Sequence, residues 1–360
     1  MIDHGLRRDR LRDRLVAAEC PGMLVTNLPD VRYLTGFSGS NAALLVLAGG
    51  EELLATDGRY VVQAGQESPG VELVVSRRIV PDLLGAAVQR GLEWVGFDAA
   101  HMSVAAWRSS AVDEPDVALQ AIDVDMPGLR MVKDRSEIEA LTSACRISVE
   151  ALTDLASQLR VGMTELEIAR LLELLMGRLG AADRSFDSIV AGGPNSAIPH
   201  HQPTERPIGP GELLKIDFGA LFDGYHADCT RTFVVAAEPA DWQAEIHAVV
   251  AAAQRAGMVA LRPGIEGAEV DAVARQVIQD AGFDEFYGHG LGHGVGLEIH
   301  EVPFLGPTST NTVEVGVPLT VEPGIYLPDR GGVRIEDTMV VEQDGVRILT
   351  DFPRGLARVG

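Results

Sequence analysis

The sequence predicts a small α/β domain followed by a larger α+β domain built on a pseudo-symmetric antiparallel sheet. Three observations carry this. The chain has 360 residues, beyond the roughly 100 to 200 of a usual single domain. Its first third alternates short apolar runs with a helical stretch, whereas the remainder runs through one order of elements, helix, helix and hairpin, twice. With 46% hydrophobic residues it can bury a sizeable core.

The elements follow in order. MLVTN reads as a strand, NAALLVLAGG and EELLATDGRY as strands on either side of a Gly49-Gly50 turn, and VELVVS as a fourth. WVGFD at 94–98 is another, followed by a helical stretch that begins near His101. This α/β domain is assigned to residues 1–127, ending at the Pro127-Gly128 step with VDMPGLRMVKD as linker, and the second domain to 128–360.

In the second domain Ile138, Leu141, Cys145, Val149, Leu152 and Leu155 recur at intervals of three and four, the period of a helix with one buried face. Thr164 to Glu167 is a capping-box pattern opening a helix that runs to Gly180. FDSIVAG reads as a strand, and LLKIDFGALF and YHADCTRTFVV flank Asp223-Gly224, a strong hairpin signal. The same order then recurs, with helices at about 241–261 and 267–281 and strands around VGLEIH, LTVEPGIYL and VRIEDTMVV.

The 30 basic against 52 acidic residues give a formal charge of −22, which repels phosphate backbones and anionic lipid surfaces. Nucleic acid and membrane partners are excluded on that ground. Cys20, Cys145 and Cys229 are scattered without a C-x-x-C pair, so neither a disulfide framework nor a cysteine zinc site is expected. The amino-terminal MIDHGLRRDRLRDRL has charges at helical spacing and no apolar h-region, and no apolar run approaches the about 18 residues needed to cross a bilayer. The expectation is a soluble cytoplasmic protein.

The chemistry begins at the first hairpin. With Asp223-Gly224 as a two-residue loop, Phe222 faces Tyr225, Asp217 faces Thr230 and Asp228 faces Gly219. Asp217 and Asp228 are then diagonal neighbours on one face, about 7 to 8 Å apart at the backbone. Both strands are otherwise apolar enough to be buried, and two unpaired buried carboxylates are costly, so something cationic belongs between them.

In TVEPGIYLPDRGGVRIEDT a short loop around Asp329 puts Glu322 and Glu336 nearly opposite each other on adjacent strands. Taken singly, each of these acids also fits a solvated strand end or turn. Four carboxylates together balance two divalent cations, and His293 adds an imidazole. A water between two such ions, about 3.5 to 4 Å apart, is acidified into a hydroxide nucleophile. Oxygen-rich ligands with one imidazole suit Mn²⁺, with Co²⁺ or Zn²⁺ as substitutes. The glycines of GHGLGHGVGLEIHE do not open a helix after a strand, as a dinucleotide loop requires; they let backbone approach a crowded polar site.

IDFGALFDGYHADCTRT, GHGLGHGVGLEIHE, VEPGIYL, VRIEDT and the upstream PNSAIPHH resemble the creatinase, prolidase and aminopeptidase P family with the pita-bread fold. VRYLTGFSGSNAALLV and LATDGRY resemble that family's smaller domain, so the match spans nearly the whole chain. The resemblance implies metal binding by Asp217, Asp228, His293, Glu322 and Glu336. It implies that His200 faces the substrate and stabilises a tetrahedral intermediate, that His289 and His300 line the site around the scissile bond, and that Arg334 orients a ligand carboxylate. The reaction implied is attack by a metal-bridging hydroxide on the carbonyl before a proline, with a ligand glutamate, Glu322 or its neighbour across the site, passing a proton to the proline nitrogen. A homodimer is implied as well, with residues around Tyr33 to Asn41 either in the dimer contact or simply part of their domain's core.

Within the family, creatinase lacks the full ligand set, and methionine aminopeptidases typically lack a domain like residues 1–127. That leaves an Xaa-Pro dipeptidase (prolidase) against an Xaa-Pro aminopeptidase. Several prolidases place a carboxylate-binding arginine soon after the histidine that matches His300, where this chain has Phe304. An apolar residue cannot anchor a carboxylate, which favours longer peptides, unless another arginine such as Arg330 reaches the site. A metal-dependent binding module without turnover would have no need of His200, and an amide or guanidino hydrolase would show no preference for proline.

Overall fold

The computed structural model describes residues 3–113 and 116–360. Contacts divide the chain into two compact units, one ending at Arg130 and the other spanning Met131–Gly360.

In the first unit the strand Gly22–Val25 pairs antiparallel with Ala42–Leu47 and parallel with Trp94–Phe97 near the middle of a six-stranded mixed sheet. Ala42–Leu47 and Glu52–Thr56 are the antiparallel pair around the Gly49-Gly50 turn. Helix Ile79–Gln89 buries Leu83, Leu84 and Ala87 with Leu24, Leu45 and Val95 of the sheet. This helix and Leu28–Thr35 are missing from the sequence reading, because 11 and 8 residues leave few turns in which a period can show.

Tyr33 and Phe37 are both 1% exposed, and the Tyr33 hydroxyl donates to the Leu129 carbonyl at 2.7 Å. Within the stretch Tyr33 to Asn41 these two therefore belong to the unit's own core, and what the stretch exposes is Ser38 and Ser40. The expected linker contains a helix, Met126–Met131. The Asp125 carboxylate accepts the Gly128 N–H at 3.0 Å, and Pro127 sits in the first turn, where its missing N–H is no loss.

In the second unit, helices Arg135–Gln158 and Glu165–Arg178 open with capping boxes at Asp134 and Thr164. Their buried Leu152 and Leu172 pack with Ile216 and Phe233 of a sheet ordered Arg358–Val359, Cys229–Val235, Leu213–Phe218, Ile189–Gly192. Helices Asp241–Ala260 and Gly267–Asp280 repeat the arrangement, with Val250 and Ile278 packed with Leu319 and Met339 of a five-stranded antiparallel sheet. The expected strand at VGLEIH is displaced. Strands Gly292–Gly294 and Glu301–Leu305 flank it with a register shift at His293/Gly294, and residues 295–300 form the connection. Its alternating V, L and I imitate a strand period, but Gly296 turns the chain, donating its N–H to Glu298 at 3.0 Å. Among the described residues no helix is long and apolar enough to cross a membrane.

Candidate metal centre

Two hairpins build the centre, one from each half. Asp223 and Gly224 have φ of 48° and 76°, the positive pair that a tight two-residue hairpin loop requires. Phe222 pairs with Tyr225, and further along Asp217 pairs with Thr230. The ladder opens between, at Gly219, where a Cβ would lie 1.7 Å from the Ala227 carbonyl oxygen, and Asp228 leaves the strand there.

In the second half Val321 pairs with Asp337 and Gly324 with Arg334. The register is the same on both sides of the gap, so Glu322 and Glu336 stand opposite one another where the ladder opens. Pro323, without an N–H, cannot close it. Across the two hairpins Thr230 donates its hydroxyl to Glu336 Oε2 at 2.7 Å, and Thr338 donates to the Asp228 carbonyl at 2.8 Å.

Asp217, Asp228, His293, Glu322 and Glu336 all line one cavity of about 250 Å³, together with His200 and His300. Ligand atoms of Asp228, His293 and Glu336 lie within 4.8 Å of one another. His293 Nε2 is 3.5 Å from Asp228 Oδ2 and 3.3 Å from Glu322 Oε1. Its Nδ1 donates to the Gly294 carbonyl at 3.0 Å, which turns Nε2 towards the carboxylates.

The electrostatics show how much negative charge is gathered. Burial lifts Asp228 to about 7, with Asp217 and Glu322 adding to the effect and His293 opposing it. Burial and the neighbouring carboxylates push Glu336 well above the carboxylate range. Burial opposes charge on His293 too, but the Asp228 and Glu322 carboxylates outweigh it and lift the imidazole to about 10. Glu322 is drawn down to about 2 against its burial, chiefly by its hydrogen bond with His293. Asp217 Oδ1 and Glu336 Oε1 are buried without a hydrogen-bond partner, an expense that a cation between them removes. The donors, four carboxylates and an imidazole, fit a pair of divalent ions.

Arg334 is buried and bonds to residues of both hairpins. Its guanidinium donates to Asp217 Oδ2 at 2.5 Å, to the Tyr326 hydroxyl at 2.8 Å and to Thr230 Oγ1 at 3.1 Å. His289 stands on the other side of that tyrosine, with Nε2 2.9 Å from its oxygen. His300 packs edge-on to His293, ring centres 4.4 Å apart. Burial lowers the pKa of both His289 and His300, keeping them neutral near pH 7.

A second cavity, of about 400 Å³, adjoins the first; Glu322, His200 and His293 line both. Its further lining includes His289, Arg334 and Phe304, the last 47% exposed. Arg330 stacks over Trp242, 4.3 Å from the ring centre, and is not among the residues lining either cavity.

Sequence reasoning missed Thr230, Tyr326, Lys215 and Glu165. Lys215 is fully buried, and burial together with Arg334 presses its pKa well below the usual lysine value. A lysine inside the apolar run LLKIDF was the available signal.

Residues 139–343 match metallopeptidase family M24, and residues 7–132 match the creatinase/prolidase N-terminal domain. The chain is 36% identical over 352 residues to the uncharacterized peptidase YqhT of Bacillus subtilis, covering 98% of this chain and 99% of that protein. Among solved structures it resembles an Xaa-Pro dipeptidase from Bacillus anthracis, with TM-score 0.95, 35% identity and coverage of 99% and 100% of the two chains. It also resembles an X-Pro aminopeptidase from Thermotoga maritima MSB8, with TM-score 0.90, 36% identity and coverage of 98% and 99%.

Proposed function

Since the chain belongs to metallopeptidase family M24 and carries a creatinase/prolidase N-terminal domain, we propose that it cleaves the bond between an amino-terminal residue and a following proline, acting best on peptides longer than two residues. Family membership makes it a peptidase that works with divalent metal ions. Our reading adds that these are two Mn²⁺ ions, with Co²⁺ or Zn²⁺ as substitutes, held by Asp217, Asp228, His293, Glu322 and Glu336. The observation that carries it is the convergence of these five side chains on one cavity, with two buried carboxylate oxygens lacking a protein partner.

Bound divalent cations supply a nucleophile at neutral pH and polarise the scissile carbonyl. The protein's own groups do the rest. His200, at the junction of the two cavities, donates to the carbonyl oxygen as it gains charge. Glu322 also faces both cavities, whereas Glu336 lines only the smaller, so Glu322 carries the proton to the proline nitrogen. Arg334 keeps Asp217 in place, and His289 and His300 wall the groove.

Preference for longer peptides rests on the larger cavity. Its one arginine among the described residues is Arg334, already bound to Asp217, and Phe304 stands at its edge. Among the described residues that line this cavity, a dipeptide's carboxylate finds no free arginine or lysine. The dipeptidase reading has its own support in the likeness to the Bacillus anthracis enzyme. A homodimer in a reducing cytoplasm completes the proposal, consistent with three free, buried cysteines.

Hydrolysis of an Xaa-Pro dipeptide and an Xaa-Pro-Yaa tripeptide, compared after chelation and Mn²⁺ add-back, tests this. Metal-restored cleavage of the tripeptide alone supports the aminopeptidase, preferential dipeptide cleavage makes it a prolidase, and no restored cleavage of either ends the proline-peptidase reading.

A further inference from the structure

His200 is exposed, and among the described residues none holds its ring by a hydrogen bond. Its place is therefore set by the backbone that carries it, residues 192–204, which has one 3-10 turn, Gly193–Ala197, and little other regular structure. Two buried charges grip that segment. Lys215 donates Nζ to the Ile198 carbonyl at 2.6 Å and the Pro199 carbonyl at 3.3 Å, the two residues just before His200. Glu165, 0% exposed at the start of its helix, ties the segment's two ends: it accepts from the Gly192 N–H at 2.8 Å, Asn195 Nδ2 at 2.9 Å, His201 Nε2 at 2.8 Å and the Thr204 N–H at 3.0 Å.

A buried ammonium is costly unless its donors are used. Lys215 uses two on carbonyls and lies 5.0 Å over the Tyr326 ring, a favourable position for a cation. It shares a strand face with Asp217, two residues on. The Asp217 carboxylate and the backbone before His200 are thus held by one strand. Arg334 adds a third grip, donating to the Pro199 carbonyl at 3.3 Å.

We propose that Lys215 is a positioning residue: it fixes the Ile198-Pro199 backbone, and through it His200, at a set distance from the strand that bears Asp217, with Glu165 fixing the segment's ends. This rests on the peptidase reading for its kinetic consequence but not for its structural one.

The test uses Lys215→Met and Glu165→Gln, each alone and combined with His200→Ala, in the full-length protein. Backbone hydrogen exchange over residues 192–204, bound metal, and kcat and KM are measured. Exchange in the segment should quicken at least about tenfold while the strand bearing Asp217 and the strands on either side of Glu336 stay protected. Metal content should hold, and kcat should fall about 30- to 100-fold with KM within about twofold, as expected when a donor is misplaced by an ångström. In the His200→Ala background neither change should lower kcat further. Unchanged exchange in the segment, or a full additional loss without His200, overturns the proposal. Should Lys215→Met not fold, the Glu165→Gln cycle decides by the same criteria. Should the wild type fail to cleave Xaa-Pro peptides, the peptidase reading falls while the exchange measurement still decides the grip on the segment.

Discussion

Arg334 and Asp217 belong to different hairpins, and their side chains meet at 2.5 Å, guanidinium Nη2 to carboxylate Oδ2. That contact occupies one Asp217 oxygen and leaves Oδ1 buried without a hydrogen-bond partner.

Removing the arginine should expose both roles. Arg334→Met leaves a buried carboxylate uncompensated, a defect of about 3 to 5 kcal/mol in metal-free protein. Loss of an orienting partner should also weaken metal binding about 10- to 100-fold. Calorimetric titration with Mn²⁺ reads the second effect, and wild-type affinity in the variant would contradict the orienting role.

The pH dependence of metal-free stability has a definite sign. Asp228 is raised from 3.8 to about 7 and His293 from 6.5 to about 10. Raised groups favour the folded state while protonated, so the Asp228 contribution is complete below 3.8 and gone above about 7, and that of His293 is complete below 6.5 and gone above about 10. Glu322, lowered from 4.5 to about 2, contributes above 4.5 and loses its share only towards pH 2. Between about pH 5 and 9 the centre therefore destabilises the chelated protein progressively. Thermal midpoints should fall more steeply for wild type than for Asp228→Asn, and saturating Mn²⁺ should abolish the difference. Parallel slopes for the two chelated proteins would refute the assignment.

His200→Ala should lower kcat about 10²- to 10³-fold, the usual effect of deleting a donor to a developing oxyanion, with KM little changed. His289→Ala should do less, because its hydrogen bond goes to Tyr326 rather than to a cavity-facing donor set. Steady-state kinetics on one tripeptide separate the two; equal losses would argue against His200 as the oxyanion donor.

Phe304→Arg places a cation at the edge of the larger cavity. Dipeptide kcat/KM should rise about tenfold or more through a charge-assisted carboxylate contact, narrowing the preference for tripeptides. No change in the ratio would mean that Phe304 does not face the end of the substrate.

The hairpins were legible because their turns are local. Asp223-Gly224 announces a two-residue loop, and the pairing of Asp217 with Thr230 follows by counting. The same counting around Asp329 sets Glu322 opposite Glu336, since the ladders on both sides of the gap share one register. Lys215 and Glu165 were illegible for the opposite reason. Their partners come from residues 192–204, so a charge inside an apolar strand and an acid in a helix's first turn acquire their meaning only when that segment arrives. VGLEIH misled because alternation is also what a tight connection between strands can display. In the first unit the short helices carried too few turns to read.

The proposed ligands are divided between the two halves: Asp217 and Asp228 on one hairpin, His293, Glu322 and Glu336 in the other half, with Thr230 bonded to Glu336 across the seam. On that proposal neither half supplies the whole set of five. Affinity for metal should then report how completely the halves have docked, and removal of metal should loosen the seam before it loosens either helix pair. A protease probing the chelated enzyme should find its first cuts beside the hairpins, and the concentration of free metal in the cell becomes a term in the lifetime of the folded chain.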